Sequence, residues 1–156
     1  MFFIIEEKEE KKMLFIRTQF DLCTGCNACQ LACSSRATGG YNPHLSRLKI
    51  LMEGENFLNR PLVCSQCENA FCLRSCSVKA ISRNPETGVV LIDKEKCTGC
   101  RECIDACPDG MITMDAQGKA DKCDLCDGDP LCVRYCVSGA LKLVTLITGE
   151  EANKDG

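Results

Sequence analysis

Cys97-Thr98-Gly99-Cys100-Arg101-Glu102-Cys103-Ile104-Asp105-Ala106-Cys107-Pro108 decides how this chain is read. The spacing C-x2-C-x2-C-x3-C followed by proline is a ligand run for a cubane iron-sulfur cluster. Working outward, the same spacing recurs at Cys23, Cys26, Cys29 and Cys33. It recurs with a wider middle gap at Cys64, Cys67, Cys72 and Cys76, and again at Cys123, Cys126, Cys132 and Cys136. All 16 cysteines of the 156 residues belong to these four quartets, and none is left over.

The geometry of a cube explains the spacing. Three close thiolates on one loop wrap one end of it while backbone N–H groups turn toward its sulfides. Gly25 and Gly99 lie inside the first Cys pair of their groups, where a residue without Cβ allows a sharp turn and a close approach. The fourth Cys follows after about one helical turn and points to a neighbouring cluster. Zinc ribbons also use C-x2-C, but two pairs per ion suffice there and the third and fourth thiols gain nothing.

Composition agrees. Aromatic residues make up 5% of the chain and Trp is absent, so the side chains that usually build a core are scarce and bound groups must hold much of the fold. Met1-Phe2-Phe3-Ile4-Ile5 is too short an apolar run for a secretion signal, there is no twin arginine, and no stretch is long enough to span a membrane. The expectation is a cytoplasmic protein with no membrane insertion, in a compartment where disulfides rarely persist. A net charge of −3 leaves no basic footprint for nucleic acid. Oxidised cubanes carry about −2 each, so four would take the chain to about −11.

Between the second and third quartets, Ala80-Ile81, a turn signal at Asn84-Pro85-Glu86-Thr87-Gly88, and Val89-Val90-Leu91-Ile92 predict a hairpin. Three quartets place an apolar residue five positions after their last Cys, at Ile81, Ile112 and Leu141, so each is expected to enter a strand there. Leu14-Phe15-Ile16 and Ile112-Thr113-Met114 are further strand candidates. The fold class this implies is α+β: two ferredoxin-like modules, one nested in the other, around four iron-sulfur clusters. The outer module takes residues 13–60 with 110–148 and the inner 61–109, with a charged extension over 1–12 and a tail over 149–156.

In the nested arrangement Cys23, Cys26, Cys29 and Cys136 hold cluster 1, and Cys123, Cys126, Cys132 and Cys33 hold cluster 2. Cys64, Cys67, Cys72 and Cys107 hold cluster 3, and Cys97, Cys100, Cys103 and Cys76 hold cluster 4. Sequential pairing, first quartet with second and third with fourth, is the alternative and would make two tandem modules.

Four motifs in this order, with Leu62-Val63-Cys64-Ser65-Gln66-Cys67 and Ala120-Asp121-Lys122-Cys123-Asp124-Leu125-Cys126, resemble the four-cluster electron-transfer subunits of molybdenum and tungsten oxidoreductases over about residues 14–143. The resemblance implies the nested ligand pairing, four 4Fe-4S clusters and a larger catalytic partner carrying a metal-pterin cofactor. It further implies exchange with a ferredoxin or a further redox subunit. Some members replace one Cys of the third motif by Trp and hold a three-iron cluster, but all four are present in this chain. Only Cys107 is followed by Pro, a local departure that removes no ligand. The compact chain favours a host of the tungsten aldehyde oxidoreductase type. A hydrogenase-like or formate hydrogenlyase-like wiring subunit and a free polyferredoxin are the competing functions.

No nucleophile-base pair or phosphate-cradling loop stands out, so no catalytic residue is expected. His44 sits in a linker and reads as solvated. Arg74, Arg101, Lys122 and Arg134 lie within or beside the motifs, where a cation raises a cluster potential, but each reads first as a surface charge. Asp121, Asp124, Asp127 and Asp129 read first as a loop kept soluble by charge, and second as a docking edge. In the longest stretch without cysteine, 47–51 alternates like a strand and 52–60 reads as a turn.

Overall fold

The computed structural model describes residues 11–54 and 58–148. Its elements are short and come in matched pairs. Strand β1 (Lys11–Thr18) pairs antiparallel with β8 (Leu141–Thr148), from Lys11↔Thr148 to Thr18↔Leu141. Three local hairpins follow: β2 (Lys49–Glu53) with β3 (Leu58–Leu62), β4 (Ile81–Arg83) with β5 (Val90–Ile92), and β6 (Thr113–Met114) with β7 (Ala120–Asp121). The described residues also form four α-helices, α1 (Ala28–Thr38), α2 (Phe71–Ser75), α3 (Glu102–Ala106) and α4 (Leu131–Arg134), and three short 3-10 turns.

Two-stranded ribbons are barely stable alone in water, so their persistence rests on what they pack against. Here they pack against cysteine-lined interiors. One core joins Leu14, Ile16, Leu48, Val63, Val89, Met111, Leu125 and Leu141 to Cys29, Cys33, Cys64, Cys123 and Cys132. The other joins Ala80, Ile81, Val90, Ile112 and Ala120 to Cys97 and Cys103, and Cys107 packs against both. Helix α1 lies against α4, and α2 against α3.

The motif helices follow a common plan. The last Cys of the second and third quartets, Cys76 and Cys107, immediately follows α2 and α3. After the last Cys of three quartets comes a tight turn in which the N–H of Lys79, Gly110 or Gly139 donates to the carbonyl of Cys76, Cys107 or Cys136, each at 3.2 Å. All three turn residues have positive φ, and the chain then runs into β4, β6 or β8. The first quartet departs from this: α1 continues past Cys33 to Thr38 and stops at Gly39, whose φ of 75° and bond to the Ser35 carbonyl form a C-cap.

Several sequence readings shift. Lys11 and Lys12, placed with the charged extension, are the first residues of β1; residues 1–10 and the tail from 149 lie outside the described residues. Within 52–60, read as a turn, Met52 and Glu53 end β2 and Leu58, Asn59 and Arg60 begin β3, with the tip outside the described residues. Pro61 sits in β3, where a ribbon edge tolerates a residue that cannot donate to the ladder.

Candidate iron-sulfur sites

The residue just before the second Cys of every quartet is left-handed: Gly25 at φ 69°, Gln66 at 49°, Gly99 at 74° and Leu125 at 55°. Glycine adopts this at no steric cost, but Gln66 and Leu125 do not. Their burial repays the strain, since Gln66 is 1% exposed and Leu125 is 0%. A Cβ at Gly99 would strike the carbonyl oxygen of Gly118 in the β6–β7 turn, and one at Gly25 would come within 2.5 Å of Asn59 Oδ1 on β3. Each loop is therefore pressed against a hairpin.

Three cavities collect cysteines in fours. Cys64, Cys67, Cys72 and Cys107 line one. Cys33, Cys123, Cys126 and Cys132 line a second. Cys76, Cys97, Cys100 and Cys103 line a third. Of the remaining four, three lie within electrostatic reach of Cys29: burial first, then the neighbouring Cys136, Cys26 and Cys23, pushes the Cys29 thiol up to about 11.

The same effect orders the sets. Cys132, raised mainly by burial, also feels Cys29 of the neighbouring set. Cys123, pushed up to about 12 by burial, feels Cys64. Cys103, pushed up to about 11 by burial, feels Cys72. The four sets thus form a row, and Cys26 in the first and Cys100 in the last are exposed.

Backbone N–H groups point at the last Cys of the quartets. Ala80 N–H donates to Cys76 Sγ at 3.2 Å, and Met111 N–H to Cys107 Sγ at 3.4 Å. Cys136 is held below its ordinary value, its burial outweighed by bonds from the N–H of Leu141, the Ser138 hydroxyl and the N–H groups of Ala140 and Gly139. At Cys33 the continuing helix uses the nearby N–H groups internally, and Arg47 N–H reaches Sγ at 3.2 Å instead. Such donors favour thiolate and lower the charge a cluster presents.

These residues fit an iron-sulfur cube better than a single ion. Among the described residues no three Cys, His, Asp or Glu side chains converge on a one-metal site. Tetrahedral zinc requires sulfurs about 2.3 Å from one centre, whereas a cube takes its thiolates at separate corners.

The other singled-out residues divide. His44 is exposed, Arg74 stacks on Phe71 at 4.9 Å, and Arg134 pairs with Asp129 at the surface. The aspartates do not form a free docking edge: Asp121 pairs with Arg47 and Lys94, Asp124 with Arg47, Asp127 with Arg36 and Asp129 with Arg134. Lys122 is no surface charge, being 4% exposed. Gln66 and Leu125 escaped the sequence reading, although aligning the four quartets puts them where Gly25 and Gly99 stand.

Cysteine sets of this spacing, three of them lining cavities, define an electron-transfer protein of the ferredoxin type that binds 4Fe-4S clusters. Comparison with known proteins agrees. The model of the 4Fe-4S dicluster domain matches residues 56–146, and that of a 4Fe-4S binding domain matches 20–39. The chain belongs to the 4Fe-4S dicluster domain family. It is 34% identical to the polyferredoxin-like subunit of an aliphatic sulfonate oxidoreductase of Pyrococcus furiosus, over 92% of this chain and 82% of that one. It is 33% identical to a thiosulfate reductase electron transfer subunit of Salmonella typhi, over 82% of this chain and 73% of that one. Three further relatives are much longer, and the chain spans 21–28% of their length. Among solved structures it resembles the active site complex BamBC of benzoyl coenzyme A reductase with 1,5-dienoyl-CoA. The TM-score is 0.52 and the identity 26%, over 93% of this chain and 83% of that one. Among the described residues no helix is long and apolar enough to cross a membrane.

Proposed function

We propose that this chain is the electron-transfer subunit of a larger oxidoreductase, relaying single electrons between a catalytic subunit with a tungsten- or molybdenum-pterin cofactor and an external carrier or further redox subunit. The observation that carries this reading is the row of four cysteine sets with an exposed Cys at each end. A wire needs closely spaced interior stations and two accessible ends.

In this reading each set holds one 4Fe-4S cluster, four in all, with the nested ligand pairing. The cavity linings support it for three sets, and the neighbours of Cys29 support it for the fourth. When bound, the cubes supply the one-electron redox chemistry. The chain supplies thiolates, N–H bonds to sulfur and walls that keep water out. The subunit role accords with relatives named as subunits of an oxidoreductase and a reductase, and the metal-pterin partner rests on the family resemblance. The nested modules, the cytoplasmic setting and a tungsten host belong to the same proposal.

The test is anaerobic isolation of the untagged complex with metal analysis. About sixteen irons per chain and a stable partner containing tungsten or molybdenum are expected. Zinc or far fewer irons would overturn the cluster reading. A nickel-containing partner would transfer the chain to a hydrogenase-like complex, and a 17.1 kDa monomer would make it a free polyferredoxin. Cys107→Ser should disturb the cluster shared with Cys64, Cys67 and Cys72 and spare the one shared with Cys97, Cys100 and Cys103.

A further inference from the structure

Lys122 lies between two cysteine sets. Its side chain lines the cavity of Cys64, Cys67, Cys72 and Cys107, and its backbone leads directly into Cys123 of the neighbouring cavity. Nζ is 2.5 Å from the Val90 carbonyl oxygen, 2.8 Å from that of Cys123 and 3.4 Å from Gln66 Oε1. Three acceptors with no proton of their own call for three N–H donors, which is an ammonium. Gln66 is oriented by two further bonds, receiving the Val90 N–H at Oε1 (3.0 Å) and donating from Nε2 to the Cys123 carbonyl (2.9 Å). That use of its amide accounts for a non-glycine residue at the left-handed position of the second quartet.

Among the described residues no carboxylate pairs with Lys122, unlike Arg47 and Lys94, which each have two. A buried cation without a counter-ion is costly. Neutral carbonyl dipoles stabilise it in part, and the charge they leave uncompensated needs an anion nearby. Cys72 and Cys123, one on each side, both lie within reach of its charge.

We infer that Lys122, held by Gln66, is the counter-charge shared by the two central clusters and raises the reduction potential of both. The inference rests on the cluster reading above. Lys122 exchanges neither proton nor electron in this role; it favours the more negative, reduced form through space, in an interior that screens it weakly.

The experiment is an anaerobic potentiometric titration with dithionite as reductant. It follows the reduced clusters by electron paramagnetic resonance in the wild type, K122M, K122R and Q66E, after iron content has been measured in each. In K122M, and in Q66E where a new carboxylate neutralises the ammonium, the reduction equilibrium of the central clusters should fall at least tenfold, about 59 mV per tenfold for one electron. K122R should stay near the wild type, and the two outer clusters should move less. Wild-type protein short of iron would defeat the cluster reading itself. Fully loaded K122M or Q66E with unshifted potentials would overturn the role of Lys122 alone. Should both charge-losing variants fail to hold the central clusters, a loaded K122R supports the inference, and a K122R that fails with them reduces Lys122 to a packing residue.

Discussion

Arg47 grips Asp121 with both prongs of its guanidinium, Nε at 2.8 Å and Nη2 at 3.0 Å from the two carboxylate oxygens. Nη1 reaches Asp124 at 2.8 Å, and the backbone N–H of the same residue donates to Cys33 Sγ. One residue therefore ties the last Cys of the first quartet to the loop of the fourth, across the cavity that they share. The Arg47 and Asp121 side chains are only 16% and 15% exposed, so removing Arg47 leaves half-buried carboxylates short of charge: Asp121 keeps Lys94 alone and Asp124 loses its ion pair. R47M should cost roughly 2–4 kcal/mol, and R47K should recover part of it because an ammonium cannot fork. Anaerobic denaturation followed by cluster absorbance measures both.

The two glycines at equivalent loop positions should differ in tolerance. At Gly99 a Cβ meets a backbone carbonyl, that of Gly118, which cannot move without opening the β6–β7 turn. At Gly25 it meets the amide of the Asn59 side chain, a softer obstacle than backbone although it must give up its present position. Both pay for left-handed backbone, so G25A should cost about 1–2 kcal/mol and G99A about 3 kcal/mol or more. Cluster retention on heating should rank them in that order, and equal losses would contradict the contact difference.

Asp115 gives the β6–β7 hairpin a dependence on acid. Lys94 Nζ, 2.8 Å away, and then the Lys119 N–H hold its carboxyl below the ordinary 3.8, against the opposing pull of burial. A lowered folded value means the folded chain stays ionised where the unfolded one is protonated. The contribution is thus present above pH 3.8 and lost as pH falls through the lower folded value. D115N should bleach faster than the wild type at neutral pH yet accelerate less on acidification, as read from the loss of visible absorbance.

Thiols make the opposite demand. Burial pushes Cys29 and Cys103 up to about 11 and Cys123 up to about 12, so burial favours the protonated thiol in each. Ligation requires thiolate, and proton release accompanies it. Anaerobic reconstitution with ferrous iron and sulfide should release protons and speed up as pH rises toward the ordinary thiol value of 9.0. A rate that does not change with pH would show that deprotonation is not limiting.

Much of the site was legible because chemistry repeats it. The quartets, the hairpin around Asn84 to Gly88 and the strands entered at Ile81 and Leu141 follow from spacing and apolar pattern alone. What stayed hidden depends on long-range neighbours. Nothing local in Asn59-Arg60-Pro61 announces a strand; it forms because it pairs with Ile50, Leu51 and Met52. Lys122 and the aspartates near it looked like surface charge because charge normally is, and only the folded chain brings Gln66, Val90 and Arg47 to them.

The pairing of β1 with β8 carries a lesson about timing. Every cysteine of the two cavities built from Cys64 to Cys107 precedes Cys123, Cys126, Cys132 and Cys136 in order of synthesis. The set that joins Cys29 to Cys136, and the ribbon that zips Lys11 to Thr148, wait until Cys136 and Thr148 have been added. Contacts so distant along the chain are slow to close, so the polypeptide can be furnished with metal from its middle outward and sealed at the rim last.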